Sequence, residues 1–292
     1  MEYPIVGFVP RFVLPENYAN NFGFQWNTFR RTQLDSHTGL PISRERFFAS
    51  TGWLPSALVG KVLLDVGCGA GRFVEIALST GARVVALDYS AAADACWQNF
   101  GFHPGLDVVQ GDIYHLPFRA DTFDCIYCLG VLQHTPDVRR AFLSLPEVLR
   151  PGGRLTVDVY PRSIQNILWP KYWLRPVTRC MPEAQLFNVV RVLVEYLLPM
   201  SLRIGRIPLA GRKLRYFLPI ANHEPDFPLS LAQVKEWALL DTYDMLSPAH
   251  DHPQSARALR RWFCDGGLKE IEIFRKGHLI GRGAKPVQEC RA

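Results

Sequence analysis

The sequence is short of the features that mark a membrane-spanning, secreted or metal-bound chain. Its most apolar helical stretch, Leu186 to Leu198, is broken by Arg191 and Glu195 and falls short of the roughly 20 residues needed to span a bilayer. The start, Met1-Glu2-Tyr3-Pro4, has no basic segment leading into an apolar one, which argues against a secretory signal. A soluble, cytoplasmic protein is expected. No internal repeat or low-complexity tract occurs, which sets aside solenoids and disordered arrays. Cysteine is sparse: seven, at 68, 96, 125, 128, 180, 264 and 290, an odd count with irregular spacing that fits no disulfide framework. Cys125-x-x-Cys128 has the spacing of a redox or zinc pair. However, Phe123 to Leu129 reads as a buried strand, where residues three apart point to opposite faces. No second pair completes a zinc site, so no metal is expected.

What is present is the composition of a folded protein, 48% hydrophobic and 21% charged over 292 residues. That length suits one enlarged α/β domain, or a core with one added lobe. From residue 61, strands and helices alternate. Lys61 to Val66 is a short apolar strand ending in glycines, and Arg72 to Ser79 continues with helical spacing. Ala82 to Leu87 is a second strand, ending at Asp88. A helix (about Ala91 to Phe100), a strand (Asp107 to Gln110), the Cys125 strand and a helix (about Val138 to Leu149) follow. Pro151-Gly152-Gly153 then turns the chain into a strand from Arg154 to Tyr160. Ala256 to Asp265 reads as a helix, and Leu268 to Arg275 with His278 to Gly283 as a closing hairpin. Such alternation implies a parallel, doubly wound sheet with right-handed crossovers.

Chemistry concentrates where the first of these strands ends, in Leu63-Leu64-Asp65-Val66-Gly67-Cys68-Gly69-Ala70-Gly71-Arg72-Phe73. A glycine-rich strand-to-helix turn lets a ligand approach the backbone closely at a helix N-terminus. Nicotinamide dehydrogenases use a similar turn, but their fingerprint wants G-x-G-x-x-G, or alanine in the last place. Position 72 is arginine. What stands here is Gly67-x-Gly69-x-Gly71, with Asp65 two residues ahead. Asp88, 17 residues after Gly71, ends the second strand, where a carboxylate can accept hydrogen bonds from ribose hydroxyls. Loop and acid together narrow the ligand to an adenosine compound. Taken singly, Asp65 and the glycines also suit a plain tight turn, and Asp88 suits the N-terminus of a helix capped by Ser90.

Further stations follow. Gly111-Asp112-Ile113 precedes Leu116-Pro117-Phe118, Phe123-Asp124 opens a strand that ends at Gly130-Val131-Leu132-Gln133-His134, and Leu149-Arg150-Pro151-Gly152-Gly153 comes next. In this order and spacing, residues 62 to 160 closely resemble the core of the class I S-adenosylmethionine-dependent methyltransferases. The resemblance implies S-adenosylmethionine as cofactor. Asp65, Gly67, Gly69 and Gly71 would cradle its methionine and ribose end, and Asp88 would hold the ribose. Asp112 and Ile113 would hold the adenine, and the backbone at Leu129 and Gly130 would receive the methionine amino group. Asp112 also suits a turn residue. Family members often carry histidines near the methyl group at the position of His134, although Pro136 and Asp137 make loop packing an equal reading. Pro146 departs from a regular helix but lies in outer scaffolding.

The flanks Asn21 to Asn27, Asp35 to Leu40 and Arg44 to Phe48, with Asp241-Thr242-Tyr243-Asp244 and the segments around His252 and Trp262, resemble bacterial methyltransferases found among glycan and cell-envelope genes. Relatives often carry a cysteine-rich zinc ribbon ahead of this point; no cysteine precedes Cys68 here. The fold expected is α/β, a Rossmann-like doubly wound seven-stranded sheet. Residues 1–60 would form an N-terminal helical lid, 61–161 the cofactor-binding core, 162–228 a helical insert after the fifth strand, and 229–292 the C-terminal part of the core.

The acceptor is argued from what the fourth strand lacks. It ends in Leu129-Gly130-Val131-Leu132, not in the Asn/Asp-Pro-Pro-Tyr of amino-methylating enzymes, and it has no Pro-Cys nucleophile. A hydroxyl on a small-molecule, glycan or lipid-linked acceptor is favoured, with His134, His250 and His252 as candidate bases. Each histidine is more often structural than catalytic in such a setting. Between Arg162 and Arg215 stand ten basic residues and two acidic ones, a net +8 within a chain of +6, interleaved with Ile167, Leu168, Trp169, Tyr172, Trp173, Leu174, Tyr216 and Phe217. That pattern suits peripheral contact of residues 162–215 with an anionic membrane, and also nucleic acid or a plain solvated lobe. A catalytically silent S-adenosylmethionine-binding subunit and a nucleic-acid methyltransferase stay open as alternatives. Oligomeric state is not legible.

Overall fold

The computed structural model describes residues 2–14, 17–163, 170–224 and 226–287, with Arg212 described by its backbone alone. Ile167, Leu168, Trp169 and Cys290, named above, lie outside the described residues, as does the Arg212 side chain. The chain opens with a two-stranded ribbon, β1 (Ile5–Val6) and β2 (Val9–Pro10), followed by α1 (Asn20–Thr28), α2 (Asp35–Thr38) and α3 (Ile42–Thr51).

Five strands, the first four short, are then interleaved with helices except between β5 and β6: β3 (Val62–Val66), α4 (Arg72–Leu78), β4 (Arg83–Asp88), α5 (Ala92–Phe100), β5 (Leu106–Gln110), β6 (Phe123–Cys128), α6 (Val138–Val148) and β7 (Leu149–Val159). All five pair in parallel, and near-continuous Val, Leu and Ile suits strands covered on both faces. After the insert come α10 (Leu231–Leu246), α11 (Ala256–Asp265), β8 (Lys269–Lys276) and β9 (His278–Ala284). The last two form the expected hairpin, with β9 antiparallel to β7. The sheet order β5-β4-β3-β6-β7-β9-β8 is the seven-stranded, doubly wound arrangement read from the sequence. Strand order reverses at β3, between β4 and β6, so a crevice opens outside their carboxyl ends.

Two apolar layers sandwich the sheet. Leu63, Phe73, Val84, Cys125 and Tyr127 pack on one side, and Leu64, Val66, Ile126, Cys128, Phe142 and Phe263 on the other. Cys125 and Cys128 thus belong to opposite layers, as period-two geometry requires. Burial pushes the Cys125 thiol up to about 11 and the Cys128 thiol well above its ordinary value, so neither is a reactive thiolate.

The insert is helical: α7 (Pro170–Thr178), α8 (Glu183–Gly205) and α9 (Gly211–Leu214). Leu186, Val190, Val194 and Leu198 recur every fourth residue and make one buried stripe, which packs with Val234, Ala238, Tyr243 and Leu246 of α10. The apolar helix is longer than the sequence reading allowed. It runs through Pro199 for 23 residues and is long and apolar enough to cross a membrane by length and composition alone. A helix-interior proline forfeits one backbone hydrogen bond. Packing on α10 carries the helix past it.

Candidate active site

At the end of β3 the chain must leave the sheet and enter α4 within a few residues. Gly67, Gly69 and Gly71 do this at φ of +79°, +54° and +90°, a region that side chains rarely adopt. A Cβ at Gly67 would stand 2.4 Å from Val131 Cγ2, and one at Gly69 would meet the Trp26 indole at 3.1 Å. Asp88, at the end of β4, ties this loop down. Its Oδ2 accepts the Gly69 N–H at 2.9 Å, and its Oδ1 accepts the Ser90 N–H at 2.8 Å and the Ser90 hydroxyl at 2.7 Å. Burial pushes the Asp88 carboxyl upward against these bonds. Asp65 lies buried beneath the loop beside Tyr127, and burial drives its carboxyl well up.

A cavity of about 930 Å³ opens over the loop, within the range of small-molecule sites. Gly67, Gly69, Asp88, Leu129 and Gly130 line it, joined by Tyr89. Four of the residues assigned to the cofactor do not. Asp65 supports the loop from below, and Gly71 turns into α4 against Phe100 and Cys96. Asp112 accepts the Tyr114 N–H at 2.9 Å and faces His115 at 3.2 Å, the turn role that competed with adenine binding. Ile113 is buried in the core layer shared with Leu132 and Leu145.

The three histidines separate in the same way. His134 lines the cavity and is buried; His250 and His252 lie outside the lining. Their segment instead serves His134 through its backbone. The His134 Nδ1–H donates to the His250 carbonyl at 3.0 Å, and the His252 N–H donates to the Gln133 carbonyl at 2.8 Å. A carbonyl can only accept, so the proton of neutral His134 sits on Nδ1 and Nε2 is the acceptor. Burial lowers the His134 pKa, keeping the ring neutral near pH 7.

Residues that carried no cofactor or catalytic role in the sequence reading complete the walls. Arg46 of α3 lies 2.9 Å from Asp158, a buried acid on β7 that also accepts the Gly130 N–H. Arg72, the residue that departs from the dinucleotide fingerprint, donates from Nε to Ser43 Oγ and from Nη1 to Gln33 Oε1, both at 2.9 Å. It thereby fastens the N-terminal helices over the loop. Burial, with Arg46 nearby, brings its guanidinium down to about 9. Lys171, Tyr172, Arg215 and Tyr216 reach the cavity from the insert, and Trp237, Asp241 and Asp244 from α10. Trp26 and Asp241 to Asp244 stood in flanking segments already noted as family-like, so the signal was present without a chemistry attached. Among the described residues no cluster of His, Cys, Asp and Glu is arranged to hold a metal.

Comparison with known proteins agrees with this geometry. Residues 64–157 match the methyltransferase domain family. The chain is 35% identical over 122 residues to the demethylmenaquinone methyltransferase of Thermobifida fusca, covering 40% of this chain and 52% of that protein. It is 29% identical over 137 residues to the ubiquinone biosynthesis O-methyltransferase of Cronobacter sakazakii, covering 44% and 56%. The chain therefore spans about half the length of the curated relatives it matches. The solved structure of an O-methyltransferase family protein from Burkholderia thailandensis aligns over 85% of this chain and 57% of its own, with a TM-score of 0.51 at 11% identity, a likeness of fold. The reversed sheet order at β3, the glycine loop tied to Asp88 and the match over residues 64–157 make that segment a methyltransferase domain of the class I S-adenosylmethionine-dependent kind.

Proposed function

We propose that this chain transfers the methyl group of S-adenosylmethionine to a hydroxyl of a small, lipid-like acceptor, with His134 taking the hydroxyl proton. The observation that carries the reading is that His134, a buried, neutral imidazole with its tautomer set, lines the same cavity as Gly67, Gly69 and Asp88. When bound, S-adenosylmethionine supplies a methyl group on a sulfonium, taken by in-line displacement, so alignment is the main requirement. Gly67, Gly69 and Asp88 would hold the cofactor, and Leu129 and Gly130 would take its methionine end. His134 Nε2 would receive the proton that a hydroxyl nucleophile must lose.

The names of the relatives support an apolar acceptor, since they concern demethylmenaquinone, ubiquinone biosynthesis and, for a yeast protein 34% identical over 103 residues, a sterol. The outer surface of the insert supports delivery from an anionic membrane. Val189, Val192, Tyr196 and Met200, spaced by three, four and four residues, make a second, exposed apolar stripe on α8, and Ile207, Leu209, Tyr216 and Phe217 are exposed beyond it. Arg179, Arg191, Arg203, Arg206 and Lys213 are exposed in the same segment. Exposed apolar side chains beside cations suit a lipid interface better than nucleic acid, whose contacts are mainly polar. Lys171, Arg175 and Arg215 are buried, the first two on Asp251, and so leave the set of surface cations.

The test is a membrane extract incubated with methyl-labelled S-adenosylmethionine. Label should enter the organic phase, and His134→Gln should lower turnover by about 10² or more while S-adenosylhomocysteine affinity holds. Cofactor binding without transfer to any extract would favour a silent subunit. Anionic vesicles should retain the protein at low salt and release it as salt rises.

A further inference from the structure

The insert and α10 build a part of the cavity wall that the cofactor loop does not reach into. Trp237 is its hub. The Arg72 guanidinium lies 5.8 Å from the indole centroid, the His223 ring 5.5 Å and the Phe227 ring 5.6 Å, and all four residues line the cavity. His223 is held between two acids, with Nε2 2.5 Å from Asp241 and Nδ1 3.8 Å from Asp226. Arg215 approaches the same Asp226 oxygen only to 3.9 Å, beyond hydrogen-bond distance. The Arg215 side chain is about 95% buried, and its Nη1 has no hydrogen-bond partner among the described residues.

A guanidinium offers five donors in a fixed fork, and leaving one unfilled in a buried place is costly unless a ligand fills it. The local charge points to the sign of that ligand. The Asp241 carboxylate, which accepts a hydrogen bond from the ring, and the nearby Asp226 carboxylate outweigh the burial of His223 and push it up to about 9, so it is protonated at neutral pH. Arg72, Arg215 and His223 are all cationic on this stretch of wall, and the unfilled Arg215 donor can only be met by an acceptor. The surrounding faces are aromatic: Trp237, Phe227 and Tyr216.

We propose that Arg215 holds an anionic group of the acceptor, a carboxylate or a phosphate, whose ring or apolar body lies against Trp237 and Phe227. Arg215 would be a specificity-determining residue, selecting acidic over neutral acceptors, while His134 serves the reacting hydroxyl. The inference rests on reading this cavity as a methyl-transfer site.

The experiment saturates the protein with S-adenosylhomocysteine and titrates it by calorimetry with benzoate, phenyl phosphate, inorganic phosphate and benzyl alcohol. Benzoate or phenyl phosphate should bind at least about tenfold more tightly than benzyl alcohol, the scale of one charge-assisted hydrogen bond. The stronger of the two identifies the anion as a carboxylate or a phosphate. Arg215→Met should abolish the preference, and Arg215→Lys should keep part of it, because a point charge lacks the fork. S-adenosylhomocysteine affinity reports that each variant is folded. Anions binding no better than benzyl alcohol, or an unchanged preference in Arg215→Met, overturns the proposal. Inorganic phosphate binding as tightly as phenyl phosphate overturns the aromatic contact. Failure of the methyl-transfer reading shows separately, as a parent protein that does not bind S-adenosylhomocysteine.

Discussion

The guanidinium of Arg46 lies 2.9 Å from the carboxylate of Asp158, and this pair fastens the N-terminal helices to the sheet at the cofactor edge. Asp158 is almost wholly buried, and its other neighbours are His278 Nδ1 at 3.0 Å and the Gly130 N–H. Burial alone would raise this acid, but His278 and Arg46 outweigh it and hold the carboxyl well below the usual range.

Removing one partner of such a pair leaves a buried charge under-compensated. Arg46→Ala should therefore cost about 3 kcal/mol in urea unfolding and weaken S-adenosylhomocysteine, because Gly130 is hydrogen-bonded to the same carboxylate. Asp158→Asn should cost less than Asp158→Ala, since its amide oxygen can still accept from Gly130. Stability unmoved by Arg46→Ala would mean that the pair is incidental.

Gly67→Ala meets two separate obstacles, the +79° backbone and the Val131 methyl at 2.4 Å. Val131→Ala relieves only the second. The double variant should regain part of the lost cofactor affinity and remain about 1–2 kcal/mol less stable than Val131→Ala alone, the strain of a side chain in the left-handed region. Full recovery in calorimetry and thermal unfolding would show that the contact, and not the backbone, demands glycine.

Asp88→Ala removes the acceptor for Gly69 and Ser90 together with the carboxylate proposed to hold the ribose. A hydrogen bond to a charged group is worth about 1.5–3 kcal/mol, so cofactor affinity should fall at least tenfold. A folded variant that binds like the parent would place the pocket elsewhere.

His223 gives a pH dependence with a definite sign. Its value is raised from 6.5 to about 9, so the stability from its pairing with Asp226 and Asp241 is complete below about pH 6.5 and is lost as pH rises through about 9. The urea midpoint of the parent should decline across that window. In His223→Gln the decline should be smaller, and an identical profile would remove His223 as its source.

The sheet was legible because the first four parallel strands are short apolar runs closed by glycine or an acid, and because the glycines of 67–71 serve a turn that only they permit. Gly69, Asp88 and Gly130 were placed by position in that scheme, and they do line the cavity. Asp112 shows where position leaves two roles open. An acid after a strand suits a ligand and a turn equally, and here its oxygen goes to Tyr114. His250 and His252 were chosen by residue type, whereas the chain uses their backbone, which type does not reveal. Arg46, Trp237 and Arg215 are separated from the loop by tens to more than a hundred residues, and only packing brings them to it. The outward stripe of α8 was hidden for another reason. A helix apolar on two sides gives no single periodic face to read.

The pairing of β7 with β9 joins neighbours in the sheet across residues 160–277. On a ribosome adding 5–20 residues per second, about 6–24 s separate the synthesis of these two strands. Throughout that interval the five parallel strands can assemble from short-range βαβ units, while the outer edge of β7 has no strand to pair with. An open strand edge invites pairing with another chain. The insert thus lengthens the period in which the nascent core carries an open edge, and truncation anywhere between residues 160 and 277 would leave an α/β core with that edge exposed.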